Sequence, residues 1–217
     1  MDWSPLFISI KTAIAGTGIA FALGVLAARV VSRLQGKLKL AIDGALTLPM
    51  VLPPTVVGFI LLGLVGSTSP IGSALGTLGV RVVFSWGATV IAAAIVAFPL
   101  VYRTTLSSFE HLDPSITAAA RTLGLSETRI FLTVTMPLSA PGVAAGAILA
   151  FARALGEFGA TLMIAGNIPG KTQTIPIAIY FFAESGNMQK AALWVAILSA
   201  MSLASIVAIG AISRRRP

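Results

Sequence analysis

Long apolar runs alternate with short polar segments along the whole chain. Five of these runs are long enough to cross a bilayer, which takes roughly 20 mostly apolar residues. They cover residues 10–31, 45–65, 86–102, 138–166 and 191–212. Helices satisfy all of their backbone polar groups inside lipid. The pattern therefore predicts an all-α fold, a polytopic membrane protein with about five transmembrane helices in a single domain, residues 1–217.

The fourth run is too long for one simple helix. At about 1.5 Å per residue, an unbroken helix over 138–166 would reach roughly 43 Å, the thickness of a whole bilayer with its headgroups. We expect it to be tilted, or broken near Leu155-Gly156. Beyond it, Asn167-Ile-Pro-Gly170 is typical of a turn on the outer side. Residues 175–184 then predict a short interfacial helix.

Composition and charge agree with a membrane protein. Hydrophobic residues make up 56% of the chain and charged residues 10%, against about 25% charged in soluble domains. With the N-terminus outside, the inner loops carry ten Lys and Arg and the outer loops four, with Arg153 inside a span. The positive-inside rule then predicts N-out and C-in. This topology explains the net charge of +8 without a nucleic-acid partner, and Arg214-Arg-Arg216 fits an anchor near anionic headgroups.

Several kinds of chemistry are disfavoured. The chain has no cysteine, so disulfides and cysteine-bound metals are excluded, and its one histidine, His111, fits a solvated loop better than a metal site. The N-terminus lacks the basic region of a cleaved signal peptide. There is no Gly-x-x-x-x-Gly-Lys-Ser/Thr phosphate loop. We therefore expect neither catalytic residues, nor a metal, nor a cofactor in this chain.

The polar segment 103–137 predicts two short helices. Asp113 suits an N-cap and Pro114 the first helical position. An apolar stripe at i, i+3, i+4 and i+7 follows. It consists of Ile116, Ala119, Ala120 and Leu123. The first helix is therefore predicted to be amphipathic, with small residues that let a partner's backbone approach closely.

Turn chemistry predicts the rest of this segment. Gly124 can adopt the left-handed conformation that ends a helix. Ser126 suits the cap of a second helix, with Glu127 in its favourable first turn. Pro137 is expected to mark the return into the membrane. The two helices would form a compact knob bent at Gly124.

Prolines interrupt the second apolar run at Pro49, Pro53 and Pro54. Each removes an amide donor and bends the helix. In a bilayer, freed carbonyls are tolerated only against protein or a water-lined cavity. We therefore expect this helix, with Thr55 after the prolines, to line a pathway. A purely structural kink is the alternative, and Pro99 in the third run gives a weaker version of the same signal.

Arg153 and Glu157 lie inside the fourth run at spacing i, i+4, which places them on one face of a continuous helix. Charges inside a span normally face an interior or a cavity. Two interpretations stay open: the pair acts at the core of a pathway, or it is a structural ion pair. Gly142-x-x-x-Gly146 and Gly156-x-x-x-Ala160 are spacings that permit close helix packing.

The segment from Ala118-Ala-Ala-Arg-Thr-Leu-Gly124 to Val134-Thr-Met-Pro137 resembles the cytoplasmic coupling loop of binding-protein-dependent ABC importers. In that family the loop docks onto a separate ATPase subunit. The resemblance implies coupling roles for Ala118, Ala119, Ala120, Arg121, Leu123, Gly124, Arg129 and Pro137. The family often has Glu where this chain has Ala118, so this position cannot form a salt bridge. Docking would rest on shape, Arg121, Arg129 and backbone contacts.

The resemblance extends to residues 48–58, 84–86, 151–161 and 167–176, which are similar to the molybdate importer permeases. The stretches Gly-Glu-Phe-Gly-Ala-Thr and Asn-Ile-Pro-Gly favour molybdate, with tungstate possible as a second substrate, over sulfate. The resemblance implies a multi-pass protein of the cell (inner) membrane that forms a homodimer with the path at its interface. It also implies a cytoplasmic ATPase dimer that holds ATP and Mg, and an external oxyanion-binding protein.

The sequence leaves three alternative functions open. A sulfate permease would share the mechanism and differ in its substrate. An ion-driven secondary transporter predicts an inverted internal repeat, and none is visible between the two halves. A membrane enzyme would need a catalytic constellation at one depth, whereas the only deep charges are Arg153 and Glu157.

Overall fold

The computed structural model describes residues 2–213, and within that range every regular element is a helix. The predicted all-α fold is therefore confirmed. Arg214–Arg216, the predicted headgroup anchor, lie outside the described residues. The side of the membrane on which each end lies stays a prediction from the distribution of Lys and Arg.

In the part of the chain that is described, four helices are long and apolar enough to cross a membrane. The first is α1 (Ser4–Val31) and the second is α5 (Trp86–Glu110). The third joins α7 (Glu127–Ile130), a π-helical turn (Phe131–Thr135) and α8 (Met136–Leu155), and the last is α11 (Met188–Ser213). A fifth crossing is formed if α2 (Gly36–Val51) and α3 (Pro54–Val65) are counted as one.

The break between α2 and α3 corrects the predicted single span over 45–65. The helix already begins at Gly36, and the two halves meet at an angle of 109°. Leu52 adopts an extended conformation, with φ −68° and ψ 140°, as expected for a residue that precedes proline. Pro53 and Pro54 then lack the amide donors that would continue the helix. Pro49, by contrast, stays inside α2.

Pro137 lies within a helix that is continuous from Glu127 to Leu155, so it does not begin a new helix, and its position at the membrane boundary stays a prediction. The π-helical turn ends at Thr135, so Pro137 falls in the first turn of α8. There its missing amide leaves no gap in the hydrogen bonds of α8. The predicted break at Leu155-Gly156 is present: α8 ends at Leu155 and α9 (Gly159–Ala165) follows.

Three shorter helices complete the chain. α4 (Pro70–Thr77) was not predicted, because its glycine-rich sequence is typical of a loop; the Ser69 hydroxyl caps it by accepting from the Gly72 amide. The predicted helices α6 (Pro114–Thr122) and α10 (Ile175–Glu184) are confirmed. α10 packs against α1 and α11, with Ile175 buried beside Trp194.

The centre of the molecule is the packing of α1, α5 and α8. Small residues bring α1 and α5 into close contact: a Cβ at Gly16 would lie 2.8 Å from the Ala93 Cβ, and one at Gly24 would lie 2.9 Å from Val101 Cγ1. Such close approach is typical of membrane helices. A second cluster joins α3 to α9 and to the N-terminal half of α5. The helices that follow the two breaks, α3 and α9, therefore pack together beside the central bundle.

Candidate functional site

The knob, residues 113–130, consists of α6, a bend and α7. The Asp113 carboxylate caps α6 by accepting from the Ser115 amide at 2.8 Å, and this hydrogen bond holds the pKa of Asp113 below its ordinary value. The Ser126 hydroxyl accepts from the Arg129 amide. Gly124, at φ +77°, makes the bend. The predicted caps and turn are therefore confirmed.

The outer surface of the knob is uncovered. Of the predicted apolar stripe only Ala120 is buried, whereas Ile116 and Ala119 are exposed and Leu123 is 80% exposed. The other exposed members of the predicted coupling set are Ala118, Arg121, Gly124 and Arg129. Pro137 lies about two helical turns beyond the knob, on α8, so the structure does not bring it together with them. The stripe thus presents apolar and small side chains outward instead of packing on its own chain.

Arg121 and Glu127 pair within the knob. Arg121 donates from Nε to Glu127 Oε1 at 2.6 Å and from Nη2 to Oε2 at 3.4 Å. The bond to Glu127 raises the pKa of the Arg121 guanidinium above its ordinary value. The structure gives Arg121 an internal partner, and its predicted role as a docking cation stays a prediction. Arg129 has no ion-pair partner among residues 2–213.

The C-terminal end of α1 contacts the knob and the helix that follows the knob. Arg33 Nη2 lies 3.5 Å from Glu127 Oε2. The Arg29 guanidinium lies over the Phe131 ring, 4.2 Å from its centre, a cation–π contact. These side chains, with Arg121, line a cleft of about 290 Å³ behind the knob. One side of the knob therefore contacts the end of α1, and its opposite face is uncovered.

Sequence reasoning missed Asp43, which joins α2 to α5. Asp43 Oδ1 accepts from the Tyr102 hydroxyl at 2.9 Å, and Oδ2 accepts from Arg103 Nη1 at 2.7 Å. Tyr102 is fully buried. One turn earlier on α2, Lys39 pairs with Glu110 at the end of α5. A lone acid among apolar residues, as in Leu40-Ala-Ile-Asp-Gly-Ala-Leu46, is the signal that could have identified this position.

Arg153 and Glu157 do form an ion pair, with Nη1 2.8 Å from Oε2. They do not share a helix face as expected, because α8 ends at Leu155. Glu157 lies in the break, and its Oε1 accepts from the Ala160 amide at 2.8 Å in the first turn of α9. Its side chain is 1% exposed, against 34% for Arg153. The Arg153 contact is poorly aligned for a hydrogen bond, so charge is its main contribution.

The two helix breaks meet at the start of α3 and α9. A Cβ at Gly159 would lie 3.1 Å from the backbone nitrogen of Thr55, and one at Gly58 would lie 2.8 Å from the Ala160 Cα. Of the predicted path residues, Pro54, Thr55 and Glu157 are therefore grouped here. Pro49 lies apart and lines an apolar cavity of about 340 Å³ between α1, α2 and α5.

Comparison with known proteins finds similarity along most of the chain. The model of the family "binding-protein-dependent transport system inner membrane component" matches residues 20–216. The molybdenum transport system permease protein ModB of Haemophilus influenzae is 41% identical over 208 residues, 94% of this chain and 91% of that protein. ModB of Escherichia coli strain K12 is 38% identical over 220 residues, 99% and 96% of the two chains.

Solved structures share the fold. A bacterial ABC transporter involved in the import of the acidic polysaccharide alginate matches with a TM-score of 0.75 at 16% sequence identity. The match covers 99% of this chain and 80% of that chain. The arrangement of helices is therefore also found in a chain of quite different sequence from that transporter.

Proposed function

Because the chain belongs to the family of binding-protein-dependent transport system inner membrane components, we propose that it is the permease of an ABC importer that moves molybdate into the cytoplasm. Two relatives named as molybdenum transport permeases, at 41% and 38% identity over most of both chains, support this substrate. The chain is a multi-pass component of the inner membrane and is not itself catalytic.

The single observation that carries the proposal is the uncovered knob. Its small residues Ala118 and Ala119 and the protruding Leu123 face outward, and Arg129 beside them has no ion-pair partner in residues 2–213. A separate ATPase subunit is the partner that we propose for this surface, with ATP and Mg bound on that subunit. Docking would depend on shape and on Arg129, because the Arg121 guanidinium already forms an ion pair with Glu127.

A homodimer is the proposed assembly. α2 buries none of its 16 residues within this chain, and on α3 Phe59 and Ile60 are exposed. Apolar helix faces of this extent are covered by lipid or by another protein. A second copy placed against α2 and α3 would put the breaks at Pro53 and Glu157 beside the dimer axis, where interrupted helices are expected to line a path. An external oxyanion-binding protein would deliver the anion.

The proposed cycle follows from these parts. ATP binding would close the two ATPase subunits and move the two knobs, and α5, which is joined to α6 by three residues, would move with them. The path would open outward, and hydrolysis would return it to the inward state. ATP acts in this scheme because it binds one of the two states better than the other.

Uptake of labelled molybdate into proteoliposomes tests the proposal. The vesicles hold this chain with its ATPase, the binding protein is outside and ATP is inside. Uptake that requires both ATP and the binding protein, and that tungstate but not sulfate reduces, is the expected result. Uptake of sulfate alone would keep the mechanism and change the substrate. Uptake without ATP would overturn the proposal and favour an ion-driven transporter.

A further inference from the structure

Asp43 connects two helices, α2 and α5, through one carboxylate. It belongs to α2, and it binds both the buried Tyr102 hydroxyl and the Arg103 guanidinium of α5. The Tyr102 ring is fixed in turn by stacking on Phe98, with ring centres 5.9 Å apart. Because the hydroxyl and the guanidinium take different oxygens of the carboxylate, the orientation of Asp43 is determined from two sides.

A second ion pair repeats the connection closer to the knob. Lys39 lies one turn before Asp43 on α2, and Glu110 lies two turns after Arg103 on α5. Residues four or seven apart share a helix face, so both pairs join the same two faces of antiparallel helices. We call these two pairs, Lys39–Glu110 and Asp43–Arg103, the ladder.

The order of charges in the ladder fixes its register. Along α2 the order is positive then negative, and along α5 it is also positive then negative. Antiparallel packing therefore places opposite charges together at both levels. Sliding α2 along α5 by one level would place Lys39 beside Arg103, and like charges repel. The ladder thus selects one position of α2 along α5.

Few other contacts hold α2. None of its residues is buried, and the apolar side chains that it packs against the central bundle include Ile42 and Leu46. Membrane helices gain little from apolar contact with one another, because lipid tails are equally apolar. Polar connections therefore account for a large share of what positions α2 on α5.

We propose that the ladder makes α2 move with α5, with Asp43 as its main positioning residue. This inference rests on the proposed function, in which a partner ATPase moves the knob. Three residues separate the end of α5 from α6, so a displaced knob displaces Glu110 and Arg103. The ladder passes that displacement to α2, whose other end is the break at Leu52-Pro53. A displacement of the knob is thus transmitted through α5 and α2 to the break that borders the proposed pathway.

The first experiment compares ATP hydrolysed per anion transported in reconstituted complexes. Asp43→Asn keeps an oxygen for the Tyr102 hydroxyl but loses the charge that binds Arg103. We expect the ATP cost per anion to rise by about fivefold or more, the lower end of typical coupling between sites. The matched control is Glu184→Gln, which removes one acid at the far end of α10, outside the ladder; its ratio should equal that of the unmodified chain.

Rescue separates coupling from folding. Arg103→Asp alone should be as poorly coupled as Asp43→Asn, and the exchanged pair Asp43→Arg with Arg103→Asp should recover most of the normal ratio. A normal ratio in Asp43→Asn would overturn the proposal. So would an exchanged pair that assembles with the ATPase in normal amount and remains uncoupled.

A covalent link gives an independent test, because the chain has no cysteine of its own. Lys39→Cys with Glu110→Cys removes one level of the ladder, and a flexible bis-maleimide can then join the two positions. Before linking, the ATP cost per anion should rise; after linking, it should return toward normal. Loss of transport upon linking, with hydrolysis maintained, would show that α2 and α5 must separate and would overturn the proposal.

The two proposals fail in different ways. If the unmodified chain neither binds an ATPase nor supports ATP-dependent uptake, the proposed function is wrong. If the unmodified complex transports normally and the ladder variants are coupled equally well, only the ladder is wrong. The unmodified complex is therefore measured in every series.

Discussion

Arg121 and Glu127, six residues apart, join the two helices of the knob through two hydrogen bonds across the bend at Gly124. Glu127 also reaches Arg33 at the end of α1. One carboxylate thus fixes the shape of the knob and its attachment to the first membrane helix. The surface offered to a partner is held in shape by half-exposed charges that pair within this chain.

Breaking the Arg121–Glu127 pair should have a small effect on stability. Both side chains are about half exposed, and exposed pairs are typically worth about 0.2–1 kcal/mol. In a double-mutant cycle of Arg121→Gln and Glu127→Gln, we expect a coupling energy within that range that falls as salt is added. Thermal unfolding in detergent measures it. A coupling energy that salt leaves unchanged would contradict an exposed pair.

Gly124→Ala should weaken ATPase coupling through conformation alone. Nothing lies within 4 Å of a Cβ at this position, but its φ of +77° is unfavourable for alanine by roughly 1–2 kcal/mol. Gly18→Ala is the matched control, because that glycine of α1 is helical and equally open. We expect reduced binding-protein-stimulated ATP hydrolysis for Gly124→Ala only. Equal activity in both variants would show that the bend tolerates a side chain.

Gly58→Ala should push α3 and α9 apart. Its Cβ would lie 2.8 Å from the Ala160 Cα, a backbone contact that cannot rotate away. Overpacking typically costs about 1–3 kcal/mol. Gly63→Ala, on the same helix with nothing within 4 Å, is the control. A lower unfolding temperature for Gly58→Ala alone is expected, and equal temperatures would argue against direct contact of α3 with α9.

Replacing Arg153 should cost more than replacing Glu157. Arg153→Gln leaves a buried carboxylate without its counter-charge, at a cost of about 3 kcal/mol, the lower end for broken buried pairs because Arg153 is partly exposed. Glu157→Gln keeps an oxygen that can accept from the Ala160 amide. It leaves the Arg153 guanidinium without its counter-charge, but that guanidinium is partly exposed. Unfolding in detergent compares the two variants. The reverse order would argue against a stabilising contact between the Arg153 guanidinium and the Glu157 carboxylate.

Local signals in the sequence predicted the parts of the fold that depend on neighbouring residues. Asp113 and Ser126 cap their helices as expected, and α8 ends at Leu155. Each of these features is decided within a few residues by a hydrogen bond or a turn conformation. The bounds of α10 followed for the same reason.

Side-chain pairings and irregular helical turns were not predictable, whether the residues involved are near or distant in sequence. Asp43 and Arg103 are 60 positions apart, and no pattern within either run shows that they meet. The continuous helix through Pro137 depends on a π-helical turn that no sequence rule indicated. Arg121 was expected to face a partner because the sequence alone did not show that Glu127 would bind it.

The interruptions after Val51 and after Leu155 have an energetic consequence. α3 and α9 pack on each other, and each is joined to its preceding helix where the regular series of helical hydrogen bonds has already ended. A rotation of the α3–α9 pair as one body would be absorbed at residues 52–53 and 156–158, the natural hinges. No turn of helix has to melt for such a rotation. The barrier to opening is then set by side-chain repacking, which is far cheaper in lipid than exposing backbone amides.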